Sequence, residues 1–262
     1  MTRRHPSDSP ATDRRKPAFR NGARIVAALL LAWGVAVSAG PPFVTDDPEP
    51  TDPGHWEIYG YAGGTHVPGQ TAGATGFDIN YGGARDLQLT AVVPLDYRTG
   101  RDGAAGIGDI ELAAKYKFLH QSEGSPLPDV AFFPRVFLPS GGHRFGSGRV
   151  SLLLPLWAQK DFGKWSLFGG GGYDLNPGRG QRNFWLTGVG LQRSLSDRFA
   201  LGAEIYHQTP DAEDAHRFTG VNLGALYHLD PHWSLLGSAG PGLEHARTEG
   251  RYSFYLALKA DY

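Results

Sequence analysis

The stretch from His207 to His216 gathers Asp211, Glu213 and Asp214 between two imidazoles, and carboxylates with imidazoles are the ligand types that metals use. Its spacing matches no known metal-binding loop, and a solvated acidic connection accounts for the composition better. His228 and His232 stand four residues apart. That spacing converges on a metal only along a helix, and the intervening Pro231 breaks one. His120 and Ser122 lie close together, with no third group in view to orient the imidazole. Asp211 and His216 offer at most an acid–base pair. The run Gly169 to Gly172 lacks the Lys-Ser/Thr that follows a phosphate-cradling loop. There is no cysteine, which removes disulfide frameworks, thiolate zinc sites and thiol catalysis together. With no convergent constellation, the expectation is a protein that is not an enzyme and uses no cofactor or metal.

The other chemistry-bearing residues alternate with apolar ones. From Asp109 to Phe118, Asp109, Glu111, Lys115 and Lys117 fall on one side of an extended chain, and Ile110, Leu112, Ala114, Tyr116 and Phe118 on the other. Successive side chains of a strand point to opposite faces, so one face is charged and the other greasy. Segment 87–98 opposes Leu87, Leu89, Val93 and Leu95 to Gln88, Thr90 and Asp96, and segments 199–208 and 251–262 repeat the pattern. Placing the apolar faces toward lipid makes Asp109, Glu111, Lys115, Lys117, Phe133, Arg135, Phe137, Trp157, Glu204 and Lys259 line an interior. Arg135 stands between Phe133 and Phe137. Such a mixed lining differs from a uniform ring of one charge, which would select one ion sign.

Twelve segments read this way: 55–64, 74–82, 86–98, 106–118, 129–138, 149–161, 164–174, 183–194, 198–208, 216–228, 232–243 and 251–262. Their connections alternate long and short, with His120 to Pro128 breaking the rhythm. An even strand number, short periplasmic turns and longer external loops mark outer-membrane barrels. Aromatic residues near strand ends, including Trp56, Trp165, Trp185, Tyr206 and Tyr227, fit interfacial girdles. The expected fold is therefore all-β, a transmembrane antiparallel up-and-down barrel of about twelve strands. A secreted β-sandwich shares the alternation; the loop rhythm and the aromatic end of the last strand favour the barrel.

Residues 1–24 carry seven basic and two acidic side chains, and an apolar run follows from Ile25 to Val37, then Ser38-Ala39-Gly40. This is the pattern of a cleaved export signal; the run is too short to span a bilayer, which takes about 20 residues. Cleavage after Ala39 divides the chain into a signal peptide over 1–39, a Pro/Asp-rich periplasmic lead or plug over 40–54, and a barrel over 55–262. The charge balance, 25 basic against 26 acidic residues, gives no footprint for nucleic acid.

Several stretches resemble the MetA-pathway phenol-degradation family: Gly106-Ile-Gly-Asp-Ile-Glu-Leu-Ala-Ala-Lys-Tyr-Lys-Phe-Leu119, Pro134-Arg-Val-Phe-Leu-Pro-Ser-Gly141, Trp165 to Tyr173, Gly202 to Tyr206, Gly220 to Tyr227 and Trp233 to Gly242. The resemblance implies an outer-membrane barrel of a family treated as transporters, some members being associated with aromatic-compound breakdown. It brings no catalytic residues with it. The functional expectation is passive diffusion of small, hydrophobic or aromatic solutes across the bacterial outer membrane. The alternatives are a filled structural barrel and, less favoured, a hydrolase at the barrel rim. The expected partners are outer-membrane lipid, the solute, and the barrel assembly machinery, addressed through the last strand ending at Tyr262.

Overall fold

A computed structural model describes residues 42–244 and 250–262. The expected signal peptide over 1–39, and residues 40 and 41 of the lead, lie outside the described residues. The described chain is one antiparallel sheet of β1 (Trp56–Val67), β2 (Gln70–Ala84), β3 (Leu87–Arg98), β4 (Ala104–Ile107), β5 (Ile110–Leu119), β6 (Asp129–Phe132), β7 (Arg135–Leu138), β8 (Ser151–Phe162), β9 (Trp165–Leu175), β10 (Phe184–Ser196), β11 (Phe199–Gln208), β12 (Phe218–His228), β13 (Trp233–Pro241) and β14 (Tyr252–Asp261). Neighbours in sequence are neighbours in space, and β1 pairs with β14 from Glu57↔Asp261 to His66↔Tyr252, closing the sheet. Closure removes the free edges that an open sheet would present.

The fourteen segments form twelve staves, because two staves are each broken in the middle. β4 and β5 both pair with β3, separated by Gly108-Asp109. β6 and β7 both pair with β5 and β8, separated by Phe133-Pro134. Pro134 has no N–H to give a ladder, although its carbonyl still accepts from the Ala114 N–H at 3.2 Å. Across Phe133-Pro134 the alternation of side chains continues, so 129–138 reads as one segment. Across Gly108-Asp109 it slips by one residue, Ile107 and Leu112 both facing out, and the glycines at 106 and 108 hide the slip in the sequence.

One connection is a correction. The first hairpin was expected to carry a long external loop over 65–73, yet β1 and β2 run on to pair Val67 with Gln70, leaving only Pro68-Gly69. Pro68 fixes its own φ, and Gly69 takes a positive φ of 86°, the pairing a tight two-residue turn requires. Gly63, Gly64 and Gly73 carry no side chain to announce the extra strand residues.

The two faces separate as the alternation requires. Leu112 is 46% exposed on the outside, with Leu89, Leu95, Phe118, Leu223 and Leu256 also exposed, while Glu111 next to it is 4% exposed. Trp56, Trp165, Trp185, Tyr116 and Tyr227 stand exposed near strand ends. Tyr206 does not join them. It is buried, with its hydroxyl 3.3 Å from Ser253 Oγ, because its place in β11 shares the inward side with Glu204.

Leu112 tests the face assignment. Leu112→Arg should cost about 2–4 kcal/mol at mid-bilayer depth, read by urea unfolding of the barrel in liposomes. A neutral substitution would mean that the face carrying Leu112 is not the lipid face.

Candidate functional site

The inner face brings most of the expected lining residues into one buried polar system. Arg135 on β7 donates from Nε and Nη2 to the two oxygens of Glu111 on β5, each at 2.6 Å. The guanidinium lies 5.6 Å from the Phe133 ring centre and 5.8 Å from that of Phe137, distances at which a cation is attracted to the ring. Lys115 Nζ lies over the other part of this cluster, 4.8 Å from the centre of Phe133. Trp157 on β8 is wholly buried beside it, across from Ala131. Lys259 on β14 sits nearer the end of its strand and pairs with Glu57 at 3.1 Å and Asp261 at 2.9 Å.

Asp109 plays a different part from the one expected. It occupies the break between β4 and β5, and its two oxygens accept from the backbone N–H groups of Gly141 and Ser147 at 2.9 and 2.8 Å. The carboxylate thus holds the external loop 139–150 against the mouth of the barrel. Phe145 of that loop comes to rest against Gly106, on the side of β4 opposite exposed Ile107.

Glu204 is buried and held by N–H donors. Its oxygens accept from the backbone N–H groups of Val44 and Thr45 and from Asn222 Nδ2, at 2.9, 2.8 and 2.7 Å. Three N–H donors satisfy a carboxylate without an ion pair. Two of those donors come from the lead, and through them the lead enters the lumen. Phe43, Thr45, Asp46 and Thr51 are all buried. Asp46 reaches Lys115 Nζ at 3.1 Å, Asp47 stands 3.7 Å from the same nitrogen, and Glu49 lies 2.7 Å from Lys117 Nζ. Thr51 donates from its backbone to Gln88 Oε1 at 2.9 Å, and Gly54 donates to the Gly82 carbonyl at 2.8 Å. The lead therefore runs from β11–β13 across to β5 and leaves beside β2 and β3.

The wall is shaped for it. A Cβ on Gly202 or Gly224 would stand 2.9 or 2.7 Å from the Phe43 ring, and one on Gly188 would overlap the Thr45 hydroxyl. Between the lead and the wall remains a cavity of about 150 Å³, lined by Pro42, Asp47, Gln159, Ser166, Phe168, Gln192 and Leu226.

Several inward groups escape a reading of the sequence. Tyr59, Tyr61, Tyr255 and Leu236 form an apolar, aromatic patch on the wall made by β1, β13 and β14, with the Tyr61 and Tyr255 rings stacked at 6.2 Å. Their spacing from Glu57 and Lys259 is the signal that places them inside. Asp78, Asn80, Gln88 and Thr90 form a buried hydrogen-bonded chain; Asn80 takes one bond from Gln88 at 2.7 Å and gives one to Asp78 at 3.0 Å.

The rim groups do less. Asp211 accepts from Gln208 Nε2 at 3.2 Å, and burial pushes its carboxyl above the usual range. His120 Nε2 lies 2.8 Å from Asp86 Oδ1, a third group that the sequence did not reveal, and this hydrogen bond holds the Asp86 carboxyl below its usual range. No hydrogen bond joins His120 to Ser122 among the described residues. Nor do the described residues contain three metal-ligating side chains gathered together.

A family model described as "Putative MetA-pathway of phenol degradation" matches residues 75–259. A comparison with curated proteins returns no match. Among solved structures, the chain is similar to the COG4313 outer membrane channel from Pseudomonas putida F1, at a TM-score of 0.67 and 14% identity, covering 82% of this chain and 98% of that one. It is also similar to the NanC porin, at a TM-score of 0.53 and 10% identity, covering 78% and 98%. At these identities the likeness is one of fold, that of an outer-membrane-type barrel.

The Glu111–Arg135 pair gives a stability test. Glu111→Ala leaves a buried guanidinium without its carboxylate and should cost about 3–5 kcal/mol. The double replacement Glu111→Leu with Arg135→Met should cost far less, since it removes both charges. Urea unfolding of the two variants checks this; equal losses would mean that packing and not charge sets the effect.

Proposed function

The chain belongs to this phenol-degradation family, and from that premise we propose that it is an outer-membrane channel through which small hydrophobic or aromatic solutes diffuse passively. The observation that carries the reading is the lumen. Eight strands already enclose a space that side chains fill, whereas the interior of these twelve staves takes in a separate segment of chain and still leaves about 150 Å³ beside it. That is the volume of a cavity able to hold a benzene-sized ring. The Tyr59, Tyr61 and Tyr255 patch, with Phe133, Phe137 and Trp157 on the other wall, supplies surfaces for a ring, and Glu111, Lys115, Lys117, Arg135, Glu204 and Lys259 keep the path polar.

The same reading places the protein in the bacterial outer membrane, its apolar outer face against lipid. It assigns the assembly signal to β14 and Tyr262, whose ring is exposed at the barrel's edge. A filled barrel without passage is the alternative, favoured by the pairs that bind the lead to the wall. A hydrolase is less favoured: at the rim His120 bonds Asp86 at 2.8 Å, and no bond joins it to Ser122 among the described residues.

Proteoliposomes decide between passage and a filled barrel. Osmotic swelling in phenol should run faster with the protein than in lipid-only vesicles. Equal rates would remove the channel reading and leave the filled barrel.

A further inference from the structure

Four inward cations of the wall, Arg135, Lys259, Lys115 and Lys117, fall into two groups. Arg135 is paired with Glu111, and Lys259 with Glu57 and Asp261, all residues of the wall itself. Lys115 and Lys117 are different. Among the described residues every ion pair they make is to the lead: Asp46 and Asp47 on Lys115, Glu49 on Lys117. Both lysines are buried on adjacent inward positions of β5, and a buried ammonium left without an anion is strongly unfavourable. The wall is therefore built to hold carboxylates it does not itself provide.

The lead supplies them together with a ring. Phe43 seats against Phe168, with ring centres 5.8 Å apart, in the hollow left by Gly202 and Gly224, and Asp46 follows three residues on. At the lead's other end Thr51 bonds Gln88 and Gly54 bonds Gly82 at the rim. Residues 42–50 belong to no strand, so displacing them would unpair none.

We propose that Lys115 and Lys117 form a binding station for small organic carboxylates. The lead is a displaceable strap, and its Asp46, Asp47 and Glu49 occupy the station when no such solute is present. The proposal rests on the channel reading and narrows its solute class to anions with an apolar body. A ligand that binds only the strap-out state shifts the strap in proportion to its preference for that state. A neutral ring of similar size lacks the group that Lys115 would accept.

The chain has no cysteine, so Thr45→Cys provides a single thiol at a position 1% exposed. The full chain, folded into vesicles and checked by heat-modifiable gel migration, is reacted with a water-soluble maleimide. Sodium benzoate should speed labelling several-fold, while benzyl alcohol, and sodium chloride at matched ionic strength, should leave the rate unchanged. In the same background, Asp46→Asn with Asp47→Asn and Glu49→Gln should label fast without ligand and gain nothing from benzoate. Lys115→Gln with Lys117→Gln should do the same from the wall side. The proposal is overturned if benzoate has no effect, if benzyl alcohol or chloride acts equally, or if the neutral strap labels as slowly as its parent. Labelling reports the strap and not passage, so a barrel that fails the swelling test can still keep the benzoate response, and the two readings fail separately.

Discussion

Backbone polar groups at lipid depth have no water to bond, and everything else in this fold follows from pairing them internally. The β1–β14 ladder, ten residue pairs long, is where that requirement is met for the whole sheet, since without it both terminal strands would be open edges. Closure then fixes the sides: whatever shares a side with Leu112 must be apolar, and whatever shares a side with Glu111 is free to be charged. Even the breaks obey it. Pro134 and Pro155 cannot donate, but their carbonyls still accept, from Ala114 at 3.2 Å and Phe133 at 3.0 Å.

Charge inside a closed barrel brings a second requirement, because each buried ion needs a partner. The wall answers it in three ways. Arg135 and Glu111 pair within the wall. Glu204 is satisfied by N–H donors, two of them from the lead. Among the described residues, every ion pair of Lys115 and Lys117 is to a carboxylate of the lead. The seat and the strap are therefore one electrostatic unit, and the glycines at 188, 202 and 224 give it room.

The barrel was legible because side-chain alternation is local: Asp109 to Phe118 reveals both its faces without reference to any other segment. The breaks in two staves were not, since alternation passes through Phe133-Pro134 unchanged and glycines at 106 and 108 hide the one-residue slip at Gly108-Asp109. The first hairpin misled because glycines extend strands without leaving a pattern. Tyr206 looked like a girdle residue by type, and only its shared side with Glu204 places it inside. The inward charges of β5 and β7 were readable, but not their partners. Nothing local to Lys115 points to Asp46, 69 positions away in sequence, and nothing local to Asp109 points to the loop it anchors. Composition marked the lead as a segment apart; its path across the lumen depends on contacts that only folding brings together.

Planar-bilayer recording tests the central claim, that the lead occupies the conducting path. Barrels with and without residues 42–50 are compared at equal ionic strength. The account predicts small or closed-state currents from the full chain and a steady, larger conductance once the lead is removed. Equal conductance in the two, with both folded, would contradict it.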